Sequence, residues 1–254
     1  MKQQTIFITG ASSGIGKETA FLLAKKGYKV FAGIRKKVDK ETIEALHENI
    51  KGVYIDVTNQ GSIDKAFWFV MKNTNKIDVL INNAGIVVGG PVELLHINKI
   101  KEQFEVNTFA PISVVKKFMP LLNNSKIINI SSISATGLFP YISAYCASKR
   151  AMDIFFNIFS VENKDNIKVI SIKPASIRTP IWDKSVARAK DNFKELNKKS
   201  YDKYSTDLDA LEKHALRNNI KGLSVEKVAK CVYKVVKTKN KYNKKLPTQK
   251  EKKK

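Results

Sequence analysis

The sequence predicts one α/β domain in which helices cover both faces of a doubly wound parallel sheet. Short runs rich in β-branched residues alternate with longer helical patterns over the first 175 residues, and the links between them are short. Apolar residues make up 43% of the 254 residues, which is enough for a large core. The chain has no internal repeat and no linker rich in proline or serine. These observations together favour a single domain.

Six segments have the length and composition of strands, and they lie at 5–9, 29–34, 52–56, 78–82, 126–131 and 167–172. Helical patterns lie near 15–26, 40–49, 61–74, 99–121, 146–161 and 224–237. We expect the domain to cover residues 1–243, with a polar helical insertion near 181–218 that belongs to the substrate site. A lysine-rich tail at 244–254 is expected to be disordered.

A glycine-rich loop, "TGASSGIG", follows the first strand and opens a helical pattern. Glycine suits a tight turn and lets the backbone approach a pyrophosphate, and the helix N-terminus offers free N–H groups. The alternative is a glycine-rich turn that binds nothing. The position after the first strand favours dinucleotide binding by Thr9, Gly10, Ser12, Ser13, Gly14, Ile15 and Gly16.

The residues after the second strand indicate which dinucleotide is bound. An acidic residue there would hold a ribose 2′-OH, whereas this chain has Arg35, followed by two lysines. A guanidinium can bind a phosphate through two hydrogen bonds, so NADP(H) is favoured and NAD(H) remains possible. The alternative is three solvated cations. Asp56 and Val57, which end the third strand, are expected beside the adenine.

Two amide-containing motifs come next. Strand four ends in "INNAG", where Asn83, Ala84 and Gly85 would let the backbone approach a bound ribose. Asn107 lies in an otherwise apolar helical run, and a buried amide is unfavourable unless it is hydrogen-bonded or used. A side chain bonded to backbone is the ordinary explanation, and it leaves room for a role in holding water.

The segment "YCASK" places Tyr145 and Lys149 on one helix face, thirteen residues after Ser132. In a chain this rich in lysine the pair alone means little. Its chemistry is nevertheless coherent: a carbonyl that accepts hydride needs a proton, and a neighbouring ammonium favours the phenolate of a tyrosine. We therefore expect Lys149 to lower the pKa of Tyr145. Ser132 would hold the carbonyl oxygen.

With these motifs in this order, the chain resembles the short-chain dehydrogenase/reductase family over residues 4–240, in the branch of retinol, 17β-hydroxysteroid and acyl-dihydroxyacetone-phosphate reductases. The resemblance implies a Rossmann-like fold, a catalytic tetrad of Ser132, Tyr145, Lys149 and Asn107, and nicotinamide-ribose binding by Tyr145 and Lys149. It also implies cofactor contacts by Pro174, Ile177 and Thr179 in "KPASIRTP". Ala175 departs from the glycine usual in that segment.

The loops at the carboxyl ends of the strands supply a mostly apolar wall, which is typical of a site for a lipophilic ketone or secondary alcohol. The expected substrate contacts are Ser132, Tyr145, Ile86, Ile133, Leu138 and Trp182. A basic stretch at 184–203 would instead accept an anionic group such as a phosphate or a carrier-protein thioester. The chain therefore predicts an NADP(H)-dependent oxidoreductase, and a catalytically silent dinucleotide-binding regulator is the alternative.

The net charge of +23 raises a third possibility, a basic protein that binds anionic membrane or nucleic acid. Of the 46 basic residues 41 are lysine, whereas readout of nucleic acid uses arginine, so neither partner is favoured. The three histidines and two cysteines lack metal-site spacing, and no run is long enough to span a membrane. With no signal segment, a cytoplasmic protein is expected. The helices at 99–121 and 146–161 are expected to form a homo-oligomer.

Overall fold

The computed structural model describes residues 3–193 and 198–238 and has a six-stranded parallel sheet at its centre. The strands are β1 (Thr5–Ile8), β2 (Lys29–Ile34), β3 (Ile50–Tyr54), β4 (Val79–Asn82), β5 (Ser125–Ile130) and β6 (Ile167–Ile172). They lie in the order β3-β2-β1-β4-β5-β6, and every neighbouring pair is parallel. This confirms the predicted doubly wound sheet. The strand order reverses between β1 and β4, which opens a crevice at their carboxyl ends.

Helices pack on both faces of this sheet. They are α1 (Gly14–Lys25), α2 (Asp39–Glu44), α3 (Gln60–Met71), α4 (Ile97–Phe104), α5 (Ala110–Phe118), α6 (Ser143–Glu162), α7 (Ile181–Phe193), α8 (Lys198–Lys221) and α9 (Val225–Lys237). The segment predicted as one helix over 99–121 is interrupted by a π-helical turn at Glu105–Phe109, between α4 and α5. Such wide turns are frequent at functional sites, and this one contains Asn107.

Alternate residues of each strand supply two apolar layers. Ile6 and Ile8 of β1 belong to a cluster with α1 and α9, whereas Phe7 between them belongs to a cluster with α3 and α5. Phe7 stacks on Phe118 of α5 with ring centroids 4.5 Å apart. Because both faces of the sheet are covered, all four β1 residues are buried.

The insertion predicted at 181–218 corresponds to α7 and α8. The two ends of the insertion lie side by side, because Leu223, which follows α8, forms a parallel bridge with Ile177, which precedes α7. The amide of Arg178 donates to the Leu223 carbonyl at 2.9 Å, and the Leu223 amide donates to the Ser176 carbonyl at 2.8 Å. In the described ranges no helix is long and apolar enough to cross a membrane. The predicted tail at 244–254 lies outside the described residues.

Candidate functional site

A cavity of about 960 Å³ opens at the carboxyl ends of the strands. Its wall includes the loops that follow all six strands, together with residues of α7 and α8. The loops after β1 and β4 meet there, at the point where the strand order reverses. Ligand pockets commonly have volumes of about 300–1,000 Å³, so this cavity is large enough for a cofactor and a substrate together.

The glycine-rich loop forms one end of the cavity. Gly10 and Gly14 have φ values of +66° and +56°, which residues with a side chain rarely adopt. A Cβ on Gly10 would lie 2.8 Å from the Ala84 Cα, so the loop can approach the β4 end only as glycine. Ser12 and Ser13 line the cavity beside the first turn of α1, which contains no acidic residue. This arrangement suits the phosphates of a dinucleotide.

Thr9 and Gly16, which are predicted to contact the cofactor, are not among the residues that line the cavity and instead contact the loop from behind. The Thr9 hydroxyl accepts hydrogen bonds from the amides of Asn83 and Ala84, both at 3.1 Å. The Asn83 side chain in turn donates to the carbonyls of Thr9 and Gly10 at 2.9 Å. A Cβ on Gly16 would lie 2.3 Å from the Gly10 carbonyl oxygen. Both residues hold the loop in place.

The predicted cofactor residues of the later loops line the same cavity. The wall includes Arg35, Asp56, Val57, Asn83, Ala84, Gly85, Pro174, Ile177 and Thr179. The Arg35 side chain is exposed at the end of β2, where it is free to meet a ligand. Asp56 accepts hydrogen bonds from the amide and hydroxyl of Thr58, at 3.0 and 2.7 Å, which orient its carboxylate.

Ser132, Tyr145 and Lys149 line the same cavity. Ser132 caps a short 3-10 turn, and its Oγ accepts from the Ser134 amide at 3.1 Å. The Tyr145 phenol forms a hydrogen bond with the Ser132 hydroxyl. Lys149 lies one helical turn after Tyr145 on α6, is buried, and donates from Nζ to the Ile130 carbonyl at 2.8 Å.

Burial dominates the ionisation of this pair. It raises the pKa of Tyr145 to about 12, against the opposing effect of the Ser132 hydrogen bond. It lowers the pKa of Lys149 to about 8, against the attraction of Asp153. The expected lowering of the Tyr145 pKa by Lys149 is therefore not found. Loss of solvation disfavours both charged forms, and at neutral pH the phenol carries its proton.

Asn107 is buried and does not line the cavity. Its Oδ1 accepts from the Ile86 amide at 2.9 Å, and its Nδ2 donates to the Ile86 carbonyl at 3.0 Å and to the Ser148 hydroxyl at 3.2 Å. A Cβ on Gly85 would lie 3.3 Å from Asn107 Oδ1 and 3.5 Å from Lys149 Nζ. Asn107 thus fixes the loop after β4 against the helix that carries Lys149.

Three of the four predicted apolar substrate contacts, Ile86, Ile133 and Trp182, line the cavity. The Trp182 indole also donates to the Ile177 carbonyl at 2.8 Å, which ties α7 to the loop after β6. The fourth, Leu138, is 96% exposed and is not among the residues that line the cavity. Its neighbour Phe139 turns inward instead and lines the cavity.

Sequence reasoning missed the residues of α8 that complete the wall. Leu208, Leu211 and Ala215 line the cavity, and their spacing of three and four residues could have predicted one inward-facing stripe. Asp207 of α8 also lines it and hydrogen-bonds the phenol of Tyr141, which raises the pKa of that phenol. Tyr141 has a φ of +64°, and the sequence contains no signal of this contact.

The family described as "short chain dehydrogenase" matches residues 4–190. The 3-ketodihydrosphingosine reductase of Bacteroides thetaiotaomicron is 33% identical over 94% of this chain and 86% of its own length. The NADPH-dependent 3-dehydrocapnine reductase of Ornithobacterium rhinotracheale is 33% identical over 70% of this chain and 67% of its own length.

Among solved structures, an alcohol dehydrogenase from Thermococcus sibiricus complexed with 5-hydroxy-NADP superposes with a TM-score of 0.76. It is 22% identical, and the superposition covers 95% of this chain and 94% of the other. This likeness supports the fold.

Proposed function

Because this chain belongs to the short-chain dehydrogenase family and is an NAD(P)-dependent oxidoreductase of ketones or alcohols, we propose that Tyr145, Ser132, Lys149 and Asn107 form its catalytic site. The observation that carries this proposal is one cavity lined both by the glycine-rich loop and by Ser132, Tyr145 and Lys149. The two close glycine approaches at Gly10 and Gly16 fit a loop that cradles phosphates. When bound, the nicotinamide dinucleotide supplies or accepts the hydride.

Tyr145 moves the proton. In carbonyl reduction the carbonyl carbon gains hydride, and the oxygen takes the proton of the Tyr145 phenol. A phenol carries its proton at neutral pH, so the acid form that carbonyl reduction needs is the one present. Ser132, which hydrogen-bonds Tyr145, holds the same oxygen. In alcohol oxidation the phenolate takes the proton back.

Lys149 and Asn107 support that transfer. The ammonium of Lys149 stabilises the phenolate left after proton donation, since opposite charges attract strongly in a buried site. Lys149 would also hold the nicotinamide ribose. Asn107 holds Ile86 with one lone pair of its Oδ1 and keeps the other for a water that relays protons. Both roles agree with the positions of these residues around Gly85.

We propose NADP(H) as the preferred dinucleotide. Arg35 lines the cavity at the end of β2, where its guanidinium can pair with a ribose 2′-phosphate. The remaining predicted cofactor contacts are Ser12, Ser13, Gly14, Ile15, Asp56, Val57, Asn83, Ala84, Gly85, Pro174, Ile177 and Thr179. A relative described as NADPH-dependent supports this choice.

The proposed substrate is a lipophilic ketone or secondary alcohol. Ile86, Ile133 and Trp182 supply an apolar wall next to Ser132 and Tyr145, and the leucines of α8 extend it. A relative described as a 3-ketodihydrosphingosine reductase supports a long-chain ketone.

A screen of NADPH oxidation over long-chain ketones and aldehydes, with NADH in parallel, tests the function. We expect turnover of at least one long-chain ketone, faster with NADPH. Tight dinucleotide binding without turnover of any carbonyl compound or alcohol would favour the regulator. Binding to nucleic acid or anionic vesicles that collapses with salt would favour the basic surface protein.

We further propose a homo-oligomer built through α4, α5 and α6. Phe155 and Ile158 of α6, and Phe109 of the π-helical turn between α4 and α5, are about half exposed, which would be unfavourable on a free surface. Light scattering of wild type and Phe155→Glu tests this, and a monomeric wild type would contradict it. We also propose a single domain over residues 1–243, which limited proteolysis tests. A cytoplasmic location is proposed as well, and cell fractionation of the native protein tests it.

A further inference from the structure

Arg188 of α7 lines the cavity. Its side chain is half-buried, and its Nη1 is shielded from solvent without a hydrogen-bond partner among the described residues. A guanidinium is always charged, and a buried charged donor without an acceptor is unfavourable. A ligand that brings an anionic oxygen into the cavity would supply the missing acceptor.

The acidic residues that face α7 from α8 do not take this role. Asp207 is hydrogen-bonded to the Tyr141 phenol. Glu212 lines the cavity but has an interaction of its own, and Asp209 is exposed. Among the described residues, none of these three carboxylates is a hydrogen-bond partner of Arg188 Nη1, which a ligand could reach.

The other α7 residues of the wall next to Arg188 are largely apolar. They include Ile181, Trp182, Val186 and Ala189, and Leu208 and Leu211 of α8 line the same cavity. A ligand on this wall would place an apolar body against these side chains. Lys184 lies one helical turn before Arg188 and also lines the cavity, although its side chain is exposed to solvent.

We infer that Arg188 binds an anionic group of the substrate, so that the substrate is a ketone or alcohol with an apolar body and a carboxylate, sulfonate or phosphate. This inference rests on the proposed function, because the carbonyl must be held by Ser132 and Tyr145 at the same time. The arginine fork suits such oxyanions, since it offers two parallel N–H donors. A phosphate of the dinucleotide has the same chemistry, and the experiment separates the two sources.

The test uses straight-chain methyl ketones of increasing length in three forms, with a terminal carboxylate, as the methyl ester of that acid, and with a terminal amine. The ratio of kcat/KM for carboxylate and ester is measured in wild type, Arg188→Gln, Arg188→Lys and Lys184→Gln. At one chain length we expect wild type to prefer the carboxylate by roughly 10- to 100-fold, the range of one charge-assisted hydrogen bond. Arg188→Gln should bring the ratio close to one.

The control variants distinguish a local contact from a general charge effect. Arg188→Lys should keep part of the preference, and Lys184→Gln, which removes the same charge from an exposed position of α7, should keep nearly all of it. Equal losses in Arg188→Gln and Lys184→Gln would overturn the inference. So would a wild type that turns over ester and carboxylate equally, or one that prefers the amine.

Dinucleotide affinity gives a second readout, by fluorescence titration of NADPH with each variant. A weaker NADPH complex of Arg188→Gln with an unchanged carboxylate preference would assign Arg188 to a cofactor phosphate and overturn the inference. If wild type turned over none of the three forms, nor any other carbonyl compound, the proposed function itself would fail and this inference with it. Turnover without carboxylate preference would remove only the inference.

Discussion

Asn107 and Ile86 exchange two hydrogen bonds inside the protein, although 21 residues separate them in the chain. The carboxamide of Asn107 pairs with Ile86 in the way that the backbone of a neighbouring strand would, since it accepts from the Ile86 amide and donates to the Ile86 carbonyl. The π-helical turn at Glu105–Phe109 contains Asn107, next to the loop after β4. Gln103 of α4 holds the same loop, since it accepts from the Val88 amide at 2.7 Å and donates to the Ile86 carbonyl at 2.8 Å, so two buried amide side chains position the loop after β4.

Replacing Asn107 with alanine should destabilise the protein by about 2 kcal/mol, because it leaves the buried Ile86 amide without its acceptor, whereas the Ile86 carbonyl still accepts from Gln103 Nε2 at 2.8 Å. Urea unfolding followed by circular dichroism measures this. Asn98→Ala, an exposed change on α4, is the matched control and should alter the free energy of unfolding little. A free energy of unfolding for Asn107→Ala within about 0.5 kcal/mol of wild type would contradict the bracing role.

The variant Tyr145→Phe should lose turnover by about 10²- to 10⁴-fold, the usual contribution of a positioned general acid. It keeps the ring and its packing, so the Kd for NADPH should change by only a few fold. Stopped-flow turnover and fluorescence titration measure the two quantities. Tyr54→Phe removes a phenol from β3 outside the cavity and should behave as wild type. Wild-type turnover by Tyr145→Phe would contradict the assignment of Tyr145 as the proton donor.

Asp153 should control the charge of Lys149. It is buried one helical turn after Lys149, and its Oδ2 lies 2.8 Å from Lys173 Nζ. Its negative charge raises the pKa of Lys149, which burial holds at about 8. In Asp153→Asn that pKa should fall further, so the ammonium would lose its proton at a lower pH. The basic limb of the kcat–pH profile should then move to lower pH.

A matched set of carboxylate variants checks this pH effect. Asp153→Glu should keep most of the wild-type profile, because the charge is retained. Asp64→Asn removes the partner of Lys117 in an exposed ion pair of 2.8 Å and should leave the profile unchanged. If Asp153→Asn lowered activity equally at every pH, the residue would have a packing role alone.

Arg35→Ser should weaken NADPH binding by roughly 10- to 100-fold, the range expected when one charge-assisted contact with a 2′-phosphate is lost. NADH, which lacks that phosphate, should bind with little change. Isothermal titration with both dinucleotides measures the two Kd values. Lys37→Ser removes a cation outside the cavity wall and serves as the control. Equal weakening of NADPH and NADH in Arg35→Ser would contradict a preference set by Arg35.

Gly16→Ala should destabilise the glycine-rich loop and abolish dinucleotide binding. Its Cβ would lie 2.3 Å from the Gly10 carbonyl oxygen and 2.4 Å from Asn83 Nδ2, so the loop would have to move. Gly61→Ala in the first turn of α3 meets only Asn59 Oδ1 at 3.4 Å and should be neutral or slightly stabilising. Thermal unfolding with and without NADPH compares the two. A Gly16→Ala protein that NADPH still stabilises would show that the loop tolerates a side chain.

Most of the fold was predictable, because strand and helix are encoded by local periodicity. All six strands lie within two residues of their expected bounds. The interruption of the helix over 99–121 was not, since the π-helical turn at Glu105–Phe109 depends on packing beside the loop after β4. Leu138 is a second case in which local periodicity was not enough. The turn decides which of two adjacent apolar side chains meets the cavity, and it is Phe139 that lines it while Leu138 is exposed.

The sequence by itself determined the class of the protein, the glycine-rich loop and the shared helix face of Tyr145 and Lys149, because these depend on the order and spacing of nearby residues. Only the tertiary structure decided that burial raises the pKa of Tyr145 and lowers that of Lys149, that Thr9 and Gly16 support the loop from behind, and that Arg188 meets the cavity. Loss of solvation and contacts between residues far apart in the sequence arise only when the chain packs, so no local sequence pattern encodes them.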